Sequence, residues 1–425
     1  MFTQFTTLTK ANCQLANSFS GGAKIRKSHI YHWLTLCFAL LFFAGCSSQT
    51  PALRDYPSSS QIPGSVANVE RVGFYPAFVL RGLFWYAGVK SIHVSQAVQF
   101  YRVSYWSRSD GHPTLVSGLI SVPDEGPIRG TVLYMHGTKT NRADSVSNPD
   151  LQEGVFIGGA FAGGGYVELA PDLAGLGVSH DAQPYFFNPG TTEQTLDFLH
   201  AAKIVLRDLG RAWNSNLYIT DFSQGGHAAA LIQRELELHP DPALQVRAGA
   251  GIAGVYDISG AEFPFALSGG KSKYSGYLED FALSYATHYH ERLDSLLRPE
   301  YAQSARLLLD GDHNDAFFKQ LPPDPRSLFT PEFLAAYDNK RAHWFTTDMQ
   351  KNDVFAWAPR APFRAYYGDK DIDATPNNTK IFESEARRLG GDVRAVDVGP
   401  VDHTGTAYRA VPLVRIWFDE LSAKN

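Results

Sequence analysis

Residues 218–227 have the sequence YITDFSQGGH, and this segment gives the strongest indication of the fold. An apolar strand ends at Phe222, Ser223 occupies the turn, and small residues open a helix. A sharp strand-to-helix turn exposes the serine hydroxyl, and the helix N-terminus offers backbone N–H groups to a developing oxyanion. The segment therefore predicts a nucleophilic serine. The alternative is an ordinary serine at a helix cap.

A second motif lies upstream, where a predicted buried strand is followed by His136, Gly137 and Thr138. A turn at this place supplies the other oxyanion donor in enzymes with such a nucleophile. We therefore expect the backbone N–H groups of Thr138 and Gln224 to face the same oxygen. His136 itself is predicted to be structural.

A third motif, residues 366–376 with the sequence YYGDKDIDATP, contains three aspartates that compete for the role of the acid that orients a histidine. Asp371 lies three residues after the turn glycine, the usual place for such an acid, and is the predicted one. Asp369 and Asp373 are expected to cap the turn or to face solvent. Asp257, at the end of an earlier predicted strand, is an outside candidate.

The fourth motif, residues 398–405 with the sequence VGPVDHTG, follows the last predicted strand. Of 14 histidines, His403 alone is predicted to lie in a loop at the end of a late strand, after the acid. The order Ser223, Asp371, His403 is that of α/β-hydrolases. In that arrangement the histidine takes the serine proton, and the acid fixes its tautomer.

Strand-like and helix-like segments alternate from Ala97 onward, which favours an α/β fold with a mostly parallel central sheet flanked by helices. The predicted strands are 98–106, 114–122, 131–135, 166–170, 217–222, 246–255, 365–367 and 393–398, and the predicted helices are 150–162, 191–209, 225–238, 379–389 and 407–421. Residues 259–353 lack this alternation and are rich in Tyr, Phe and Leu. We interpret them as an inserted, mainly helical cap that divides the core into residues 66–258 and 354–425.

The N-terminal region has the features of an export signal. Residues 1–45 contain basic residues, no Asp or Glu, and an apolar run from Trp33 to Ala44. The sequence FAGC at 43–46 resembles a bacterial lipobox, in which the cysteine carries the lipid after cleavage. This predicts a signal peptide at 1–45, acylation at Cys46 and a flexible tether at 46–65. The alternative is a plain secretory signal with a chance cysteine. Ser47, after the cysteine, favours the outer membrane, on its periplasmic or surface face.

The amino-acid composition excludes some classes of function for this protein. The chain has 425 residues, with 43 acidic and 38 basic ones, a formal charge of −5, and 44% apolar residues. This is typical of a globular protein and provides no basic surface for nucleic acid. Cleavage before Cys46 would leave no other cysteine of the three, and so no disulfide and no thiolate metal site. No obligate protein partner is indicated.

With these motifs in place, the chain resembles the α/β-hydrolase branch that contains secretory lipases of the lipase A type and related bacterial esterases. The residues that carry the resemblance are the 136–138 turn, the run 165–177 (GYVELAPDLAGLG), the segment 222–227, the turn 368–376 and Asp402-His403. The resemblance implies ester hydrolysis through a serine acyl-enzyme, without metal or organic cofactor. Asp221 departs from the family pattern, and a carboxylate there would crowd the turn or raise the basicity of His403.

Three hypotheses follow for the function. The first is an esterase or lipase, tethered by lipid, whose apolar cap accommodates a hydrophobic ester. The second is a serine peptidase on the same fold, which would need an electrostatic subsite for a peptide terminus. The third is a non-catalytic binding protein of the cell envelope. A cluster of His288, His290 and residues 310–313 could be imagined as a metal site, but polar positions on the cap surface are the preferred interpretation.

Overall fold

A computed structural model of the chain describes Tyr56, residues 61–148 and residues 152–424. Within these residues, nine strands form one sheet in the order β1-β2-β3-β5-β4-β6-β7-β8-β9. The strands are Val66–Tyr75 (β1), Val98–Ser109 (β2), His112–Pro123 (β3), Thr131–Met135 (β4), Val167–Pro171 (β5), Asn216–Asp221 (β6), Gln245–Ile252 (β7), Phe363–Tyr367 (β8) and Val393–Asp397 (β9). Strands β1, β2, β3 and β5 pair antiparallel in succession, and every pair from β5 to β9 is parallel.

Helices flank this sheet on both faces. The α-helices are Ala77–Tyr86 (α1), Gln152–Ala162 (α2), Asn188–Asp208 (α3), Gln224–Leu238 (α4), Phe263–Ser268 (α5), Ser272–His288 (α6), Pro299–Leu308 (α7), Pro331–Asp338 (α8), Trp344–Asn352 (α9), Pro376–Arg388 (α10) and His403–Ser422 (α11). In β6, Leu217 and Ile219 belong to one core cluster with residues of α3 and α4. Tyr218 points to the other face, where its ring lies 4.9 Å from that of Phe418 in α11.

The predicted fold class is confirmed, and the predicted elements from Val98 onward occur within a few residues of their expected bounds. Three differences are informative. Neither β1 nor α1 was predicted. The last helix begins at His403, so this residue opens a helix instead of lying in a loop, and Asp402 caps it by accepting a hydrogen bond from Gly405 N–H at 2.8 Å. The first two residues of the helix predicted at 150–162 lie outside the described residues.

The segment between β7 and β8 contains helices α5 to α9 and short 3₁₀ turns. Its interior is a separate cluster of mostly aromatic and aliphatic side chains, including Phe263, Phe281, Tyr285, Phe329 and Phe345. The segment is the cap of the fold. The residue bounds 259–353 stay a prediction.

Residues Arg54–Asn425 form one compact unit. At its start, Gly64 N–H donates to Trp106 O at 2.8 Å, and Ser65 O accepts from Trp106 N–H at 2.9 Å, so these two residues join β2. The predicted signal peptide, Cys46 and most of the predicted tether lie outside the described residues. Within the described part of the chain, no helix combines the length and apolarity needed to cross a bilayer.

Candidate active site

Ser223 lies on the turn between β6 and α4, with φ 60° and ψ −118°. This left-handed conformation is strained for a residue with a side chain and persists only where the surroundings enforce it. Here Ser223 N–H donates to Ile252 O at 2.9 Å, and Phe222 N–H donates to Met135 O at 3.1 Å. The turn is crowded, since a Cβ on Gly225 would lie 2.0 Å from Met135 O. The small residues after Ser223 are thus required by the packing of the turn.

The structure brings Ser223, His403 and Asp371 together. His403 Nε2 lies 2.8 Å from Ser223 Oγ, and His403 Nδ1 lies 2.8 Å from Asp371 Oδ2. The Asp371 side chain is fully buried, and its other oxygen, Oδ1, accepts from Asp373 N–H at 2.9 Å and Ala374 N–H at 3.1 Å. These two amides fix the orientation of the carboxylate, which in turn faces the imidazole.

The other aspartates are engaged elsewhere. Asp369 is exposed. Asp373 forms an ion pair with Lys273 of the cap. Asp257 accepts from Gly260 N–H at 2.7 Å and so caps the short helical turn after β7. The geometry therefore singles out Asp371 as the acid next to His403.

Asp221, the departure from the family pattern, is completely buried at the end of β6. Its Oδ1 accepts from Ile252 N–H at 2.7 Å, and its Oδ2 has no hydrogen-bond partner among the described residues. Burial raises the pKa of Asp221 well above its usual range. Burial thus disfavours the negative charge through which this carboxyl could raise the basicity of His403.

The turn after β4 lies against the serine. A Cβ on Gly137 would lie 3.4 Å from Ser223 Cβ, so the backbone there approaches Ser223 closely. Thr138 and Gln224 line the same cleft as Ser223. Within the described residues, neither backbone N–H donates a hydrogen bond to another backbone group, as is usual for the first residue of a helix such as Gln224. Neither amide is therefore held by a backbone acceptor, as the predicted role of oxyanion donor requires.

Two further histidines of the motifs do not contact Ser223. His136 Nδ1 lies 2.8 Å from Gly137 O, and its Nε2 lies 3.0 Å from Asp172 O. His227 Nε2 lies 2.7 Å from Asn188 Oδ1, and burial lowers the pKa of His227 to about 3. Both rings hold the loops around the turn in place.

A cleft opens above Ser223 between the sheet and the cap. Its walls are mainly apolar and aromatic, and sequence reasoning did not single out these residues individually. They are Tyr185, Phe186, Val255, Ile258, Phe263, Ala266, Tyr274, Tyr277, Leu278 and Phe281. The only advance indication was the high density of Tyr, Phe and Leu after residue 259.

Part of the wall is anchored to the cap. Ser284 Oγ donates to Tyr185 O at 3.1 Å, and Tyr285 OH donates to Phe186 O at 3.0 Å. Phe186 has a φ of 55°, so this loop is held in a strained conformation by helix α6. Tyr185 OH in turn lies 3.1 Å from Thr138 Oγ1. Helix α6 thereby positions the wall of the cleft next to the predicted oxyanion donor.

One carboxyl in the cleft wall, Glu262, was also missed from the sequence. Its Oε2 accepts from Asn378 Nδ2 at 2.6 Å. Burial, with a smaller effect from nearby Asp371, raises the pKa of Glu262 to about 8. Near pH 7 this side chain is therefore predominantly neutral.

Groups of three or more His, Cys, Asp or Glu arranged to hold a metal ion do not occur in the described ranges. His288 Nδ1 lies 2.9 Å from Asp110 Oδ1, and its Nε2 lies 3.0 Å from Gln183 O. His313 Nδ1 lies 2.9 Å from Asp310 Oδ1 at the exposed edge of the cap. His288 is buried and joins α6 to Asp110 and Gln183, whereas the contact of His313 is local, with a residue three positions away.

The sheet order, the strained serine turn and the inserted cap together define an α/β-hydrolase fold, and the chain resembles lipase A-like enzymes. No protein-family model matches the chain, and no curated protein matches its sequence. Solved structures do match. The esterase LipA of Xanthomonas oryzae, which degrades rice cell walls, shares 22% identity with a TM-score of 0.75, over 85% of this chain and 99% of that one.

Two further structures agree. A Legionella pneumophila protein assigned as a hydrolase shares 23% identity with a TM-score of 0.77, over 84% of this chain and 98% of that one. Candida antarctica lipase A in its closed state shares 12% identity with a TM-score of 0.62, over 88% of each chain. At these identities the likeness establishes the fold.

Proposed function

We propose that this chain is a serine hydrolase that cleaves carboxylic esters through an acyl-enzyme. The observation that carries the proposal is the series of two 2.8 Å contacts from Ser223 Oγ through His403 to Asp371, below an apolar cleft. Nucleophile, base and orienting acid are all within hydrogen-bond reach, as general-base activation of a serine requires.

In the proposed reaction, Ser223 Oγ attacks the ester carbonyl carbon while His403 Nε2 takes its proton. Asp371 accepts the Nδ1 proton of His403 in a hydrogen bond and stabilises the imidazolium. The tetrahedral intermediate collapses when His403 protonates the leaving alcohol. Water, deprotonated by His403, then attacks the acyl-enzyme, and the acid leaves as Ser223 recovers its proton.

The oxyanion of each tetrahedral intermediate would be bound by the backbone N–H groups of Thr138 and Gln224. The positive end of helix α4 adds to this, because Ser223 lies at its N-terminus. Loss of one such donor typically costs about 3 kcal/mol of transition-state stabilisation. This contribution accounts for part of the expected rate enhancement.

The cleft favours an ester with an apolar acyl or alcohol part over a peptide. The two carboxyls that line it are both neutralised, Asp373 by the ion pair with Lys273 and Glu262 by its raised pKa of about 8. A peptide terminus would find little charge to bind there. We therefore propose a hydrophobic carboxylic ester as the substrate class.

The test is a comparison of p-nitrophenyl esters with aminoacyl p-nitroanilides, together with labelling by a fluorophosphonate. We expect hydrolysis of the esters only, and a label at Ser223 that Ser223→Ala and His403→Ala abolish. Ser268→Ala, at an exposed cap serine, is the matched control and should retain both signals. Hydrolysis of the anilides would instead favour a peptidase. A folded chain that neither hydrolyses these substrates nor takes the label would indicate a binding protein.

We also propose that the protein is exported and anchored by lipid at Cys46, on the evidence of the sequence FAGC at 43–46. Metabolic labelling with an alkyne fatty acid tests this. We expect label in the wild type and none in Cys46→Ser. Equal labelling of both would place the acylation at another residue, and an unlabelled wild type would contradict the anchor.

A further inference from the structure

Four aromatic side chains form an exposed face at the N-terminal edge of the fold. They are Phe74, Phe78, Trp85 and Tyr86, exposed to 47%, 59%, 67% and 61%. Within the part of the chain that the structure describes, no other Phe, Trp or Tyr is classed as exposed. We call these four residues the aromatic face. Their concentration within 13 consecutive positions (74 to 86) distinguishes them from single apolar residues scattered over a surface.

Helix α1 carries Phe78, Trp85 and Tyr86 on its outer side, and Phe74 lies just before it, near the end of β1. The inner side packs on α2, where Leu80 contacts the backbone at Gly159 and the Phe84 ring lies 5.1 Å from that of Phe156. Phe78 and Trp85 are seven residues apart, two helical turns, and therefore project from the same side. Helix α1 thus has apolar side chains on its outer side as well as on its inner side. The core of the domain does not require the outer ones.

The charged side chains that follow Arg71 in this segment of the sequence are positive. The sequence has no Asp or Glu between Glu70 and Asp110, although the whole chain has a net charge of −5. Arg81 and Lys90 are both exposed, and Lys90 Nζ lies 5.8 Å from the centre of the Trp85 ring. Trp and Tyr beside Lys and Arg is the composition of surfaces that lie in the headgroup region of a bilayer.

The position of this face in the chain points to the same partner. Val66, the first residue of β1, follows Cys46 by 20 positions. A flexible tether of this length, as the sequence predicts, has an end-to-end distance of roughly 25 Å, so an acyl group on Cys46 would hold the start of the fold, with α1, near the membrane surface. We propose that the aromatic face docks onto an anionic phospholipid membrane, independently of whether Cys46 is acylated.

The test uses residues 47–425, which contain the whole compact unit Arg54–Asn425 and carry no lipid. The protein is mixed with vesicles of phosphatidylethanolamine and phosphatidylglycerol, and the bound fraction is measured by flotation. We expect binding to these vesicles, weaker binding to phosphatidylcholine alone, and weakening at high salt. Trp85 fluorescence should shift to shorter wavelength on binding.

The decisive variant is Phe78→Ser with Trp85→Ser, for which we expect at least about tenfold weaker vesicle binding. The matched control is Leu238→Ser with Leu307→Ser, at residues that are 60% and 58% exposed outside the face. It should bind as the wild type does. Thermal unfolding and turnover of a water-soluble ester should be unchanged in both, which separates this proposal from the proposed activity.

Three results would overturn the proposal. One is a wild type that does not bind the vesicles. Another is equal binding by the aromatic-face variant and the control. The third is a dimer in solution, seen by analytical ultracentrifugation without lipid and lost only in the aromatic-face variant, which would assign the face to a second copy of the chain.

Discussion

Replacing Asp371 with asparagine should reduce ester turnover far more than the loss of one charge in solvent would. The reason lies in two hydrogen bonds that Asp371 Oδ1 accepts, from the backbone N–H groups of Asp373 at 2.9 Å and Ala374 at 3.1 Å. In the Asp371→Asn variant, the side-chain amide oxygen has to accept the hydrogen bonds from these two N–H groups. The NH₂ group then occupies the position of Oδ2, facing His403 Nδ1 at about 2.8 Å.

A donor at that position selects the wrong tautomer of His403. His403 Nδ1 must then accept a hydrogen bond from this NH₂ group, so the ring proton lies on Nε2. A protonated Nε2 can no longer take a proton from Ser223 Oγ. A change of this kind lowers kcat by about 10⁴, or about 5 kcal/mol of transition-state stabilisation. The fold should be retained, because asparagine preserves the shape and both backbone hydrogen bonds.

The assay is kcat/KM for a p-nitrophenyl ester, with the rate of fluorophosphonate labelling as a second measure. Asp369→Asn, at an exposed aspartate of the same turn, is the matched control and should keep nearly full activity. Thermal unfolding checks that both variants fold. If Asp371→Asn stays within about tenfold of the wild type, the tautomer argument fails. If Asp257→Asn is inactive instead, the acid has been assigned wrongly.

Three other substitutions test the surroundings of the site. Asp221→Asn should keep kcat/KM within about threefold, because burial disfavours the charged form of that carboxyl; a much larger loss would mean that it acts as a charge. Burial raises the pKa of Glu168 from 4.5 to about 8, so between these values the folded state holds one proton more than the unfolded state, and stability falls as pH rises. Glu168→Gln should make the decline in the free energy of unfolding smaller by about 1.4 kcal/mol per pH unit. Urea unfolding from pH 5 to about 8 measures this decline, and the same dependence on pH in the variant and the wild type would contradict the prediction. Gly225→Ala should destabilise the protein by about 2 kcal/mol or more and lower activity, since the new Cβ would meet Met135 O; a normal melting temperature would refute the crowding of the turn.

Much of the site could be predicted because each part stands at the end of a strand with its own local signal. Ser223 follows a buried strand and precedes glycines, and Asp371 and His403 follow later strands in the expected order. In a parallel sheet these strand ends lie at one edge, so sequence order translates into proximity. The choice of Asp371 over its two neighbours rested on spacing alone, and the burial of its carboxylate supplies the physical reason.

Other features depend on tertiary contacts that have no local signature. Strand β1 is an edge strand, with exposed Glu70 and Arg71 interrupting its apolar positions. Helix α1 is apolar on both sides and so lacks the amphipathic periodicity that predicts a helix. Glu262 enters the cleft because the short helical turn after β7 is packed under Asn378. The raised pKa of Asp221 likewise depends on burial, which the sequence around the turn does not specify.

The hydrogen bonds from α6 to the 185–186 loop bear on how this fold could be diversified. The cap is a single insertion between β7 and β8, so exchanging it for another leaves Ser223, Asp371 and His403 in place. However, Tyr185 and Phe186 belong to the core yet are held by Ser284 and Tyr285 of the cap. A grafted cap would therefore have to bring its own version of this loop. Chimaeras in which the cap and the 185–186 loop are exchanged together should be active more often than chimaeras in which the cap alone is exchanged.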